Sequence, residues 1–366
     1  MKIECNRHKL TDAVTNVQRA VSTKSTNPAL EGILLKAERN NIQLFGYDLD
    51  ICITTTIDAA IREEGESIIP AKLFSEIIRK LPEDIINIDI DDKNIIYIKS
   101  GKVEYKIIGM PANDYPEIPA ITSTDVIDIE GETLDSMIRQ TIYAVSDNDI
   151  KPAHKGSLFE IENKTIRIVS VDGFRLAIRT ENIEYSGEKT FIVPGKSLLE
   201  VTKLINENIK NISIIVSGRH IIFNIGVYSV ISRLIEGEFM NYRSSIPTKH
   251  STEVIVNTRR MINMIERMSL LLTDKMKSPI RCFIDSDMIK TSCNTPLGQA
   301  YDELETVLDG TPVEIGFNNK FLLDALRYSE TDEVKLYFNG SLSPMVMKPT
   351  EGDSFLFLLL PMRLTR

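Results

Sequence analysis

The chain has 366 residues, of which 42% are hydrophobic and 26% charged, with a net charge of −9. That composition excludes a disordered or fibrous chain and describes a soluble globular protein of two or three domains. The acidic balance, taken alone, argues against a nucleic-acid partner. The cysteines Cys5, Cys52, Cys282 and Cys293 have no paired spacing and read as reduced cytosolic thiols. Met1 to Cys5 lacks an apolar signal core, and the longest apolar run, Phe355 to Leu360, is far too short to span a bilayer. A cytoplasmic protein with no membrane partner is expected.

Along the chain, Leu10, Ala13, Val14 and Val17 have the spacing of a buried helical stripe and predict a helix over residues 8–20. A strand is expected over 42–47. Leu73, Phe74, Ile77, Ile78 and Leu81 predict a helix over 72–80, stopped by Pro82. Alternating runs over 86–90, 95–98 and 103–107 predict strands, with turns at 91–94 and 100–102. The proline-marked segment 114–119 closes this set.

The same order then recurs. Leu134, Met137, Ile138, Thr141 and Ile142 predict a helix over 133–145, and a strand follows over 166–171. Leu198, Leu199, Thr202 and Ile205 predict a helix over 196–205, and 241–247 is again proline-marked. Met261, Met264, Ile265 and Met268 predict a helix over 258–271. Phe321, Leu322, Ala325 and Leu326 predict the last, over 320–328.

Pro70-Ala71-Lys72, Pro194-Gly195-Lys196 and Asn318-Asn319-Lys320 lead equivalent helices, with their lysines 124 residues apart. A period of that size is a domain repeat rather than a solenoid unit. We therefore expect domains over 1–122, 123–249 and 250–366. Each is α+β, with two helices and antiparallel sheets. The two halves of each domain look alike, so the chain reads as six half-units.

The six predicted helices carry thirteen basic and six acidic residues, a surplus of +7, which leaves −16 on the remainder. One helix at a time, this is an ordinary solvated face. With at least as many basic as acidic residues on every helix, the repeats predict one positive surface on an acidic body, suited to a polyanion held through its phosphates without sequence reading. Helices packed ~8–10 Å apart around a closed ring leave a hole of roughly 8 Å with six, and roughly 25–28 Å with twelve. Only the second passes a duplex about 20 Å wide, so a ring on DNA calls for a head-to-tail homodimer.

Five segments then carry a family resemblance over the whole chain. They are Asp172-Gly173-Phe174-Arg175-Leu176-Ala177, Ile192-Val193-Pro194, Ser232-Arg233-Leu234-Ile235-Glu236-Gly237, Glu314-Ile315-Gly316-Phe317-Asn318 and the terminal Leu360-Pro361-Met362-Arg363-Leu364. The chain resembles the bacterial sliding clamps, the beta subunits of DNA polymerase III. The resemblance implies a clamp fold of three repeated domains forming half of a ring. It implies a homodimer around double-stranded DNA with no chemistry and no cofactor of its own. The partners it implies are the replicative DNA polymerase, an ATP-dependent clamp loader and other proteins with clamp-binding motifs.

The resemblance also implies site residues. A peptide-docking pocket falls on Gly173, Phe174, Arg175, Leu176, Asn318, Phe321, Leu342, Leu358, Leu359, Leu360, Pro361, Met362, Arg363 and Leu364. An apolar cleft of this kind suits a short peptide with Leu or Phe anchors. DNA contacts fall on Lys24, Lys72, Arg79 and Lys196, with Asn148 and Lys151 in a loop where Pro152 and Ala153 replace an aromatic pair. Dimer contacts fall on Tyr105 and Ile107 of one chain against Leu270 and Leu271 of its partner. Core packing is the alternative for these four and for Leu358 to Leu360, and a surface ion pair is the alternative for Arg175. The chain departs from the family at Phe174, where histidine is common, at Met240, Ser244 and Ser245 on the pocket rim, and at Thr365-Arg366 beyond the usual terminus.

Other signals carry less. Gly195-Lys196-Ser197 looks like the end of a phosphate loop, but Thr190 stands where its first glycine belongs. The histidines His8, His154, His220 and His250 have no metal or triad spacing and are expected to be solvated. Asp91-Asp92 and Asp147-Asn148-Asp149 lack the full calcium-loop pattern and read as turns. The rivals to a clamp are an enzyme with an interdomain cleft, for which no converging acid, base or metal set is present, and a ring-like interaction hub that never encloses DNA.

Overall fold

The computed structural model describes residues 1–119, 123–148, 151–272 and 278–364. Residue 122 at the first expected boundary, Asp149, and the Thr365-Arg366 extension lie outside the described residues.

The element order is one pattern used six times: a strand, a helix and three strands. The first half-unit is β1 (Lys2–Asn6), α1 (Arg7–Val17), β2 (Gly32–Glu38), β3 (Asn41–Tyr47) and β4 (Ile51–Glu63). The second is β5 (Gly65–Pro70), α2 (Ala71–Lys80), β6 (Ile85–Ile90), β7 (Ile95–Ser100) and β8 (Val103–Ile108). The third is β9 (Val126–Glu130), α3 (Gly131–Ile142), β10 (Gly156–Glu162), β11 (Thr165–Val171) and β12 (Arg175–Asn182). The fourth is β13 (Lys189–Pro194), α4 (Gly195–Thr202), β14 (Asn211–Ser217), β15 (His220–Ile225) and β16 (Tyr228–Arg233). The fifth is β17 (Thr252–Asn257), α5 (Thr258–Ser269), β18 (Ile280–Asp285), β19 (Met288–Thr295) and β20 (Gly298–Glu305), followed by the short β21 (Val307–Gly310). The sixth is β22 (Val313–Phe317), α6 (Asn319–Arg327), β23 (Glu333–Phe338), β24 (Met345–Pro349) and β25 (Phe355–Leu359). Helices α2, α4 and α6 begin at Ala71, Gly195 and Asn319, which keeps the 124-residue period of the lysines.

Two compact units emerge. One comprises Met1–Glu132 with Lys196–Leu234, the other Thr133–Gly195 with Ile235–Arg366. The central repeat is thus divided between them: β9 and β14–β16 lie in the first unit, and β10–β13 in the second. In the first unit, antiparallel strands run β8-β7-β6-β1-β4-β16-β15-β14-β9, and β3, β2 and β5 branch from β4. The long β4 makes this possible, since Ile51–Thr55 pair with β16 while Ala59–Glu63 pair with β1. In the second unit, strands run β13-β10-β11-β12-β25-β24-β23-β17-β21, with a separate sheet β20-β19-β18-β22.

The helical stripes form the cores. Leu10, Val14 and Val17 on α1, Leu134, Met137 and Ile138 on α3, and Met261, Met264, Ile265 and Met268 on α5 are buried. Each such side chain contributes about 1.5–3 kcal/mol of burial free energy. Two stripe assignments are corrected. Leu73 and Leu199 are 45% and 46% exposed, because each stands beside the apolar face rather than on it. Phe74, Ile77 and Ile78, and Leu198 with Val201, carry the packing instead.

Candidate functional site

The candidate docking residues begin at the turn between β11 and β12. Asp172 accepts hydrogen bonds at Oδ1 from the amides of Phe174 (2.9 Å) and Arg175 (3.0 Å). Gly173 turns the chain at φ +92°, a region that suits glycine. This side-chain-capped turn throws Phe174 outward, 61% exposed, and leads Arg175 and Leu176 into β12. β12 then pairs with β25, with Arg175 opposite Leu359 and Leu176 opposite Leu358.

Arg175 is more than a surface ion pair. Its Nε donates to Asp172 Oδ2 at 2.9 Å and its Nη1 to Asp324 Oδ2 of α6 at 2.5 Å. Its guanidinium lies 4.4 Å from the Phe321 ring centroid and 5.2 Å from that of Tyr143. Two carboxylates therefore offset the charge, and the guanidinium lies against two aromatic rings. Tyr143 in turn stacks on Tyr328 at 5.0 Å, and burial holds its hydroxyl well above the ordinary tyrosine range. Asp324 and Tyr143 were missed in the sequence because neither belongs to a local motif; only the packing of α3, α6 and β12 brings them to Arg175.

Asn318 caps α6, its Oδ1 accepting from the amides of Lys320 (3.0 Å) and Phe321 (3.2 Å). Phe321 is thereby set beneath Phe174, ring centroids 6.0 Å apart. Leu176 and Leu358 are buried in an apolar cluster with Val171, Ile178 and Tyr242, and Met240 and Ile246 pack against it. Leu359 is corrected: alternation turns it to the opposite face, into the core with Ile265 and Leu322. Leu360 is 41% exposed and Leu342 is 78% exposed. Pro361 and Met362 are half-buried and Arg363 is exposed.

Gly316 fixes the terminal segment. Met362 N donates to Gly316 O at 2.8 Å, and a Cβ on Gly316 would meet Met362 O and Leu364 Cδ2, each at 2.7 Å. The expectation for Leu364 is corrected, since it lines a separate cavity with Pro279, Arg281 and Tyr301.

The first repeat supplies an internal control. Asp48, 124 residues before Asp172, accepts at Oδ1 from the amides of Asp50 (3.1 Å) and Ile51 (2.9 Å), so the same turn recurs. Leu49 takes its positive φ, +79°, without being glycine. Asp48 holds Lys196 at 2.5 Å. Tyr47, buried, stands where the second copy has the smaller, also buried Val171.

The candidate DNA-binding residues divide. Lys24, Lys72, Asn148 and Lys151 are exposed, and Arg79 is exposed with its Nε on Ser75 O at 3.2 Å. Lys196 is exposed but paired to Asp48. Of the helix cations, Lys9, Arg139, Lys203, Arg267 and Arg327 are also ion-paired. Lys72, Lys80, Arg259 and Arg260 are exposed with no ion pair among the described residues. Pro152–Lys155 forms a 3-10 turn that buries Ala153 and His154. The expectation of solvated histidines is corrected at His154, where burial, and next Lys151, pull the pKa down, opposed by Asp172.

The candidate dimer contacts also divide. β8 and β20 are each the end strand of a sheet. Tyr105 and the neighbouring Ile108 are 38% and 73% exposed. Ile107 is corrected: it is 8% exposed and packs inward, opposite Ile96. Leu270 is 82% exposed at the end of α5, and Leu271 is half-buried against the core. Arg267 of α5 pairs with Asp302 of β20, which sets Leu270 and the β20 edge on one surface.

The remaining signals resolve as structure. Ser197 Oγ bonds Ser232 Oγ at 2.7 Å inside the fold, so it is unavailable to a phosphate. Asp91 caps its own turn through the amides of Lys93 and Ile95. No cluster with metal-ligand character occurs among the described residues. All four thiols are buried, and burial pushes Cys5, Cys52 and Cys282 up to about 12.

Three family models match in sequence: the DNA polymerase III beta subunit N-terminal domain over residues 1–119, its central domain over 128–241 and its C-terminal domain over 243–363. A beta sliding clamp of Bacillus subtilis is 29% identical, covering 99% of this chain and 100% of that protein. One from Halalkalibacterium halodurans is 31% identical, covering 96% of each. Among solved structures, a putative DNA polymerase III beta subunit from Eubacterium rectale has a TM-score of 0.95 at 36% identity, covering 99% of both chains. The Bacillus subtilis DNA polymerase sliding clamp has a TM-score of 0.97 at 29% identity, covering all of both. Six half-units in three domains and a match that runs from one end of the chain to the other lead to one conclusion: the chain belongs to the DNA polymerase III beta subunit family.

Proposed function

We propose that the chain is a DNA sliding clamp. Two copies close head to tail around duplex DNA, each contributing three domains with boundaries near residues 122 and 249. The observation that carries this reading is the sixfold half-unit: six helices per chain supply twelve per dimer, enough by perimeter to pass a duplex. The exposed cations Lys24, Lys72, Lys80, Arg79, Arg259 and Arg260 supply phosphate contacts without base readout. The work is topological linkage. Contacts to the backbone are weak and exchangeable, so the clamp slides while remaining on the strand.

Closure joins the β8 edge, with Tyr105, Ile108 and Lys106, to the partner's β20 edge, with Tyr301 and Glu303, and to Leu270. Unpaired strand edges pair readily, and the acidic β20 edge disfavours its own self-pairing. The cluster around Leu176 and Leu358, rimmed by Phe174, Phe321, Asn318 and Met362, docks Leu or Phe anchors of a polymerase, loader or other partner peptide. Retention on nicked circular DNA after loading, with release when the circle is cut, is the expected outcome. Equal retention on circular and linear DNA sinks the reading.

A further inference from the structure

A cavity of 290 Å³ opens in the same compact unit as the candidate docking residues. Ile246, Tyr337, Pro344, Val346 and Leu356 line it, and Lys249, His250 and Lys348 stand on its rim. Its lining is continuous with the candidate docking residues, because Ile246, Tyr337, Val346 and Leu356 pack in the same cluster as Leu176 and Leu358. Strand register is the reason. Val346 pairs with Leu358, Tyr337 pairs with Val346, and Leu356 shares the face of Leu358 two residues along β25. One apolar sheet face therefore runs from the candidate docking residues into the cavity.

The rim charges are not equivalent. Lys348 is held by Asp353 at 2.8 Å. His250 faces Glu253 at 4.0 Å and lies 4.8 Å from the Tyr337 ring. Lys249 is exposed and has no ion pair among the described residues. An apolar cleft with one uncompensated cation at its mouth matches an apolar side chain flanked by a carboxylate.

We propose that this cavity is an outer subsite of the docking pocket, occupied by an apolar-acidic segment that flanks the Leu and Phe anchors of the same partner peptide. The proposal rests on the peptide-docking reading. It makes the flank a determinant of partner choice: partners with similar anchors are ranked by the residues on either side of them.

The test uses the intact protein and three fluorescein-labelled peptides. One is Leu-Ser-Leu-Phe, and the other two carry Gly-Ile-Glu-Glu added at one end or the other. Anisotropy titration is expected to give one extended peptide an affinity gain of about fivefold or more over the short one. Lys249→Glu removes that gain, and Thr248→Trp, which fills the cavity mouth, does the same; both leave the short peptide unchanged. Replacing Glu-Glu by Lys-Lys in the extended peptide restores its gain on Lys249→Glu. Equal wild-type affinities for short and extended peptides, or a gain that survives both variants, overturn the subsite alone. A short peptide that fails to bind the wild type overturns the docking reading and the subsite with it.

Discussion

Arg175 concentrates the residue-scale argument. It sits between two carboxylates and two aromatic rings, so truncation leaves Asp172 and Asp324 without their common partner. Arg175→Ala is expected to cost about 2–3 kcal/mol in a denaturant titration. Anchor-peptide affinity falls with it, because Phe321 loses the plane it stacks on. Arg175→Lys restores little of that affinity, since an ammonium cannot fork to both acids or lie flat against a ring. The family resemblance marks Gly173, Arg175 and Leu176 within one local motif. It marks neither Asp324 nor Tyr143, because their roles arise from packing across elements distant in sequence. Leu359 and Ile107 failed for a different reason. Strand alternation says that neighbours face opposite ways, but which parity is inward depends on pairing partners.

At the scale of elements, periodicity was informative and its limits are physical. All six helices and the early strands fall within a few residues of their expected spans, since amphipathic patterning and turn residues act locally. The half-exposed Leu73 and Leu199 mark where a stripe drawn on the sequence is wider than the face a neighbour covers. β20 escaped notice, although Ala300 to Glu305 alternates, because an edge is a property of the sheet. The edges give a prediction. Ile108→Asp is expected to weaken the dimer at least about tenfold in sedimentation while the monomer keeps its denaturation midpoint. Ile107→Asp, which buries a charge, is expected to unfold the protein instead. Loss of the dimer in neither variant overturns the β8 closure.

For the whole molecule, net charge misleads and distribution decides. The chain is acidic at −9, yet its helices carry a basic surplus. Several of those cations are spent on intramolecular pairs, which leaves Lys72, Arg79, Lys80, Arg259 and Arg260 as the exposed helix cations with no ion pair among the described residues. The combined change Lys72→Glu, Arg259→Glu and Arg260→Glu is expected to lower direct binding to a short duplex and to reduce the salt slope by about 2–3. Retention on loaded nicked circles at high salt stays unchanged, since linkage does not depend on phosphate contacts. Salt-driven loss from closed circles in the wild type contradicts a topological mechanism.

The sequence by itself determined the repeat, the helices and strands, the charge surplus and the family, because each is written in local order or in spacing along the chain. The turn at Asp172 and the cap at Asn318 belong to this class, as their hydrogen bonds close within three residues. Only the tertiary structure decided what surrounds each of two similar turns. At Asp48 the neighbour is the larger Tyr47, while at Asp172 it is Val171, clustered with Leu176 and Leu358, and Phe321 stacks with Phe174. Repetition fixes the shape of a unit. The side chains that neighbouring strands and helices bring against it determine its function.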